Sequence, residues 1–120
     1  MKDISGEIEY QGKKYRLIFN LNVMEEIQEK YGSIAKWGSE CDPKDGAPND
    51  GEPNIKALKF GFAAMLNEGL EITNEENGTT EKPLTLRQVG RIISEIGTEN
   101  AVMALNSTVV NSTQSDQKNS

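Results

Sequence analysis

The chain has 120 residues and a net charge of −6 at pH 7, from 13 basic and 19 acidic residues, with no histidine and one cysteine. This length suits a single domain, and an acidic chain without a stretch of clustered Lys and Arg is excluded from binding nucleic acid through its phosphates. Since Cys41 has no partner for a disulfide and Met1-Lys2-Asp3 does not begin an apolar signal segment, we predict a protein of the reducing cytoplasm.

A β-hairpin is predicted at the N-terminus, over residues 4–10 and 13–19, where apolar and polar side chains alternate. Gln11-Gly12 is the predicted turn, because a two-residue hairpin loop needs positive φ and Gly adopts it at little cost. An isolated hairpin is marginally stable in water, so its apolar side is expected to rest on helices.

The first helix is predicted from about Leu21, with Gly32 at its end. Asn20 and Asn22 are both acceptable N-caps: Asn20 by a hydrophobic staple across it, Asn22 by a capping box. A short turn after this helix is predicted to bring Trp37 over the core.

A mobile loop is predicted over about 39–53, because Pro, Gly and acidic residues dominate this segment. A calcium-loop register places Cys41 and Pro43 at the first and third ligand positions, where oxygen ligands are needed. We therefore predict no metal and no cofactor.

The stretch Ile55 to Glu68 is predicted to be the central helix, with Asn54 as its cap and Gly69 in left-handed conformation at its end. Its longest apolar run is far shorter than the roughly 20 residues of a membrane span, so no membrane association is expected. One face is predicted to be buried in the core, formed by Ile55, Leu58, Phe62, Met65 and Leu66.

Phe60 projects to the opposite side of this helix, with small neighbours at Ala57, Gly61 and Ala64. Such a surface permits close approach by another element. Two interpretations stay open: both sides of the helix are core, or the Phe60 side receives a partner.

A second polar segment is predicted over 70–83, with a turn at Asn77-Gly78 that could be the tip of a short hairpin. The next helix starts with Thr85 as cap and Gln88 closing a capping box, and it ends at Gly97. Its predicted apolar side contains Leu86, Val89, Ile92, Ile93 and Ile96.

Thr98 is predicted to cap a last helix that runs to about Val110. Met103 and Val110 lie about 100° from its buried face, where they could extend the core or meet a partner. Residues 111–120 contain no large apolar side chain and are predicted to be a disordered tail. The expected architecture is α+β: one domain over 1–110, in which about four helices and long polar loops follow the hairpin.

No arrangement of residues suited to catalysis is found. Histidine is absent, Cys41 is predicted in a loop without an imidazole to activate it, and no Gly-rich stretch with a Lys precedes a helix. We predict a protein that is not an enzyme and acts through its surface.

The order of several segments resembles the small tail assembly chaperones and related minor tail components of siphophages and Gram-positive prophages. These segments are GKKYRL at 12–17, Phe19, VMEEI at 23–27, KYG at 30–32 and ALKFGF at 57–62. The resemblance covers about residues 6–110.

This resemblance implies a role in binding the long, helical tape measure protein and passing it to tail tube subunits in the bacterial host cytoplasm. Contacts with the partner are expected at Phe60, Met103 and Val110, which point away from the predicted core faces. Association of copies into a homo-oligomer is left open.

Two other classes of protein fit the same features. A structural tail component, such as a tube or completion protein, can also be a small α+β domain with a hairpin. An acidic inhibitor or adaptor is suggested by the net charge alone, although its carboxylates are spread over loops.

Overall fold

The computed structural model describes residues 6–43 and 52–118, with side chains described as far as residue 112. The fold is α+β, as predicted: an N-terminal antiparallel hairpin is followed by five helices in the described part of the chain. These elements are β1 (Gly6–Tyr10), β2 (Lys13–Leu17), α1 (Leu21–Tyr31), α2 (Ile34–Cys41), α3 (Ile55–Asn77), α4 (Leu86–Ile96) and α5 (Thr98–Lys118).

The hairpin has the predicted two-residue turn. Gln11 and Gly12 have φ values of 52° and 79°, as a primed turn requires, and Tyr10 pairs with Lys13 across it. The strands begin and end inside the predicted ranges, with residues 4 and 5 outside the described part of the chain. Leu17 on β2 is fully buried, so the hairpin rests on the helices.

Of the two possible caps of α1, the structure selects Asn20, whose side-chain oxygen accepts from the Val23 N–H at 3.2 Å. The predicted short turn after α1 is a full helix, α2, which begins after its cap Ser33. Trp37 of α2 is 1% exposed, and its indole N–H donates to the Ala57 carbonyl at 3.1 Å, which confirms its predicted packing role.

The predicted mobile loop over 39–53 is helical in its first three residues, which close α2, and its residues 44–51 lie outside the described part of the chain. Asn54 at its far end donates its backbone N–H to the Glu40 carbonyl at 2.8 Å and its amide to the Glu40 carboxylate at 2.7 Å. These bonds tie the start of α3 to the end of α2.

Helix α3 is longer than predicted and continues to Asn77, with Gly78 in the left-handed conformation (φ 68°) as its C-cap. The prediction that Gly69 ends the helix is therefore wrong, and so is the prediction of a polar excursion from residue 70, because 70–77 is helix. The Asn77-Gly78 turn is a helix terminus, not a hairpin tip.

Two glycines inside α3 allow other elements to approach its backbone. A Cβ on Gly61 would lie 2.2 Å from Cζ2 of Trp37, and a Cβ on Gly69 would lie 2.5 Å from the Arg16 carbonyl oxygen of β2. The Ile18 N–H also donates to the Met65 carbonyl at 3.3 Å. Helix α3 packs on β2, α1, α2 and α4, so it is the central element, as predicted.

Helix α4 has the predicted bounds and capping box: Thr85 accepts from the Gln88 N–H at 3.1 Å, and Gln88 accepts from the Thr85 N–H at 2.8 Å. Gly97 ends α4 and also starts α5, since its carbonyl accepts from the Ala101 N–H. Thr98 is the first residue of α5 and not its cap, which corrects the prediction.

Helix α5 ends at Lys118, later than the predicted Val110. The hydroxyl of Ser112 donates to the Phe19 carbonyl at 3.0 Å, which holds this part of α5 against the end of the hairpin. The backbone of the predicted tail is thus helical over 111–118. Whether the tail is disordered in solution stays a prediction.

Candidate functional site

Five large apolar side chains of the described residues are about half exposed or more: Leu21 (80%), Ile55 (51%), Leu86 (52%), Met103 (62%) and Val110 (49%). Ile55 and Leu86 were predicted to be buried, and these predictions are wrong. Each is the first residue of its helix and lies at the edge of the packed region. The position of a residue around the helix axis predicts which way it faces, but not whether the core extends as far as the end of the helix.

Ile55 and Leu86 belong to a furrow, here called the α3 groove, that follows α3 between α1 and the start of α4. Two adjoining cavities of about 330 Å³ each form it, and both are lined by Phe60 and Leu86. The apolar floor of the α3 groove consists of Ile55, Phe60, Ala63, Ala64, Leu84 and Leu86.

Phe60 lies at the centre of the α3 groove and is partly buried. Its ring meets the edge of the Tyr31 ring at a centroid distance of 5.8 Å and an angle of 68°, and Lys30 Nζ lies 5.6 Å from its centroid. The two sides of α3 thus differ in exposure: Trp37 covers Ala57 and Gly61, whereas Phe60 lines the open cavities.

Met103 and Val110 lie on α5, seven residues apart, so they share one face of that helix. Neither lines the two cavities of the α3 groove. The structure therefore brings only Phe60, of the three predicted contact residues, into this groove. That Met103 and Val110 contact a partner stays a prediction.

Hydrogen bonds hold the walls of the α3 groove in place. Asn67 of α3 accepts from the Leu84 N–H at 2.7 Å and donates to the Leu84 carbonyl at 3.1 Å, which fixes the segment before α4. Glu68 accepts from the side chains of Asn20 at 2.8 Å and Asn22 at 3.1 Å, which fixes the start of α1.

The two ends of the α3 groove carry opposite charge. Lys30, Lys56 and Lys59 line the cavity at the start of α3, and Glu26, Glu68 and Glu71 line the cavity further along. Burial, and then the nearby carboxylates of Glu68 and Glu29, raise the pKa of Glu26 above its ordinary value. This polarity could have been inferred from the sequence. Helical spacing places residues 56, 60, 63, 64, 67, 68 and 71 on one face of α3, with a lysine at the start of this face and two glutamates at its far end.

We expect Glu26→Gln to raise the free energy of unfolding at pH 7, because it removes a charge that the folded state disfavours. The gain should be less than about 1 kcal/mol, since the side chain is exposed and water screens its charge. The pKa of the Glu26 carboxyl is higher in the folded state than in the unfolded state, so the folded state binds its proton more tightly. The stability that this provides is present at low pH and is lost as the pH rises through the folded-state pKa. Thermal melts should show the gain at pH 7 and none at about pH 3.5. Glu75→Gln controls for net charge, and a variant less stable than the wild type at pH 7 would contradict the expectation.

Cys41 is the last residue of α2 and is buried, which corrects its predicted place in a loop. Burial, followed by the charges of Glu40 and Asp42, raises the pKa of its thiol to about 12. The thiol is therefore protonated at neutral pH and is a poor nucleophile. Among the described residues, His, Cys, Asp and Glu side chains form no group of three or more that could hold a metal ion.

Comparisons with family models, curated proteins and solved structures found no match to this chain. Within the described ranges, no helix has the length and apolar character needed to cross a bilayer.

Proposed function

We propose that this protein binds an apolar helical segment of another polypeptide in the α3 groove, as a phage tail assembly chaperone. In this role it keeps the tape measure protein soluble in the host cytoplasm and passes it to tail tube subunits. The observation that carries the proposal is the exposed apolar floor, where Ile55 and Leu86 are about half exposed and line one cavity together with Phe60. Exposed apolar surface of this kind marks an interaction site, because binding removes it from water.

The shape of the groove favours a helix as the bound element. Its floor and walls follow α3 from Ile55 to Glu71, which corresponds to about 24 Å at 1.5 Å per residue. This length accommodates about four turns of an amphipathic helix, whose apolar side chains recur at the spacing that a groove of this kind receives. A tape measure protein presents such helical surface repeatedly, so weak contacts by many copies suffice.

We expect Leu86→Asp to weaken binding of the partner by at least about tenfold, because a charge would enter the apolar floor. Co-expression with the tape measure protein, followed by measurement of the soluble partner, checks this result. Leu21→Asp is the matched control: both residues are exposed leucines at the first position of a helix, where the helix dipole favours Asp. Leu21 does not line the groove.

Both variants should melt within about 0.5 kcal/mol of the wild type, which separates loss of binding from loss of folding. Equal rescue by Leu86→Asp and Leu21→Asp would overturn the proposal. Met103→Asp, assayed alongside, tests whether the exposed face of α5 takes part. Recovery of the protein in purified phage particles would favour a structural tail component instead.

A further inference from the structure

Cations gather at one end of the α3 groove, although the chain as a whole is acidic. A third cavity, of about 600 Å³, lies beside the groove and shares Ile55 and Lys59 with it. One carboxylate, that of Glu95, also lines this third cavity. The two cavities together are lined by five cations, here called the basic rim: Lys30, Lys56, Lys59, Arg87 and Arg91.

None of the basic rim forms an ion pair with another described residue. The ion pairs of the described part of the chain are Lys13–Glu81 and Arg16–Glu76, and none of these four residues lines the groove or the third cavity. Grouping like charges has a free-energy cost in general, and a bound anionic group would offset it. Lys30 over the Phe60 ring shows that the rim borders the apolar floor directly.

The opposite end of the groove is acidic, with Glu26, Glu68 and Glu71. A polyanion such as nucleic acid would gain contacts at the basic rim but would meet these carboxylates and the apolar floor in between. A helix with an apolar face and opposite charges at its two ends matches all three parts of the groove. Helices favour acidic residues in the first turn and basic residues in the last, which complement their own dipole.

We infer that the α3 groove binds an amphipathic helix with an acidic first turn and a basic last turn, whose N-terminus lies at the basic rim. This inference rests on the proposed function and adds the direction of the bound helix. In this direction the partner runs parallel to α3, because the basic rim surrounds the N-terminal end of α3 and the carboxylates lie further along it.

Two labelled peptides of about 16 residues provide the test, with binding measured by fluorescence anisotropy at low salt. Both carry the same apolar side chains at helical spacing; one has an acidic first turn and a basic last turn, and the other has these charges exchanged. We expect the first peptide to bind on the order of tenfold more tightly, since several surface ion pairs, each weak alone, act together.

The variant Lys56→Glu/Arg87→Glu should remove this preference or reverse it. Both residues occupy the second position of their helices, where an acidic side chain is favoured, so the fold is expected to persist. Lys36→Glu/Lys82→Glu makes the same change in net charge at exposed lysines outside the three cavities and should keep the wild-type preference.

Equal binding of the two peptides, absence of binding by both, or an unchanged preference in the Lys56→Glu/Arg87→Glu variant would overturn the inference. Displacement of the first peptide by duplex DNA at equal charge concentration would also overturn it, in favour of a phosphate ligand. If Leu86→Asp abolishes rescue of the tape measure protein while the peptides bind equally, the proposed function stands and only the charge-directed orientation fails.

Discussion

Trp37→Ala is expected to lower the free energy of unfolding by about 3–5 kcal/mol, a large part of the stability of a domain of this size. The indole is 1% exposed and rests on Gly61 of α3, so its removal leaves a cavity between α2 and α3. Its hydrogen bond to the Ala57 carbonyl is lost as well. Chemical denaturation followed by far-UV circular dichroism measures the change, because the chain has no second tryptophan to report by fluorescence.

The same contact predicts that the effect of Gly61→Ala on stability depends on whether Trp37 is present. In the wild type, Gly61→Ala would place a methyl group 2.2 Å from the buried Trp37 ring and should destabilise by about 1–3 kcal/mol. In the Trp37→Ala background that ring is gone, and Gly61→Ala should be neutral or stabilising, as alanine is in a helix interior. A double-mutant cycle measures this coupling, and additive effects would show that the two residues do not meet as described.

Gly69→Ala is the second substitution with a large expected effect, a loss of about 1–3 kcal/mol of unfolding free energy. A Cβ at this position would lie 2.5 Å from the Arg16 carbonyl oxygen. That oxygen belongs to the backbone of β2, which pairs with β1. The next residue after β2, Ile18, donates its N–H to the Met65 carbonyl of α3, so the Arg16 carbonyl cannot move aside alone.

Gly38→Ala is the matched control for Gly69→Ala. Gly38 is also inside a helix, but a Cβ there would meet nothing within 4 Å. Alanine should therefore stabilise this position by up to about 1 kcal/mol through helix propensity. Thermal or urea unfolding of the two variants should show shifts in opposite directions; a stabilised Gly69→Ala protein would mean that α3 and β2 are further apart than in the structure.

These packing contacts also bear on the α3 groove. Trp37 and the β2 backbone fix α3 on the sides that face the core, while Phe60 and Leu86 on the remaining side stay open. A groove floor held by a rigid central helix changes little on binding, which reduces the entropy lost when a partner is bound. Variants of Gly61 and Gly69 are therefore expected to affect folding, and Leu86→Asp to affect binding.

Much of the fold could be predicted because its signals are local. The Gln11-Gly12 turn, the cap at Thr85 and the helix end at Gly97 each depend on a few neighbouring residues, and the structure confirms each. The same kind of reasoning predicted the wrong end for α3, because a glycine can either end a helix or allow another element to approach closely within one. At Gly69 the neighbour that decides between these roles is Arg16, which is distant in sequence.

The sequence by itself determined the hairpin, the central position of α3, and Phe60 as a residue pointing away from the main core face. Only the tertiary structure decided that Trp37 covers Gly61, that Leu86 is exposed, and that side chains of α1, α3 and α4 meet in one groove with oppositely charged ends. The physical reason is that turns and caps are set by backbone conformation and hydrogen bonds among close neighbours in the chain. Exposure and the assembly of a groove depend instead on how helices far apart in sequence pack against each other.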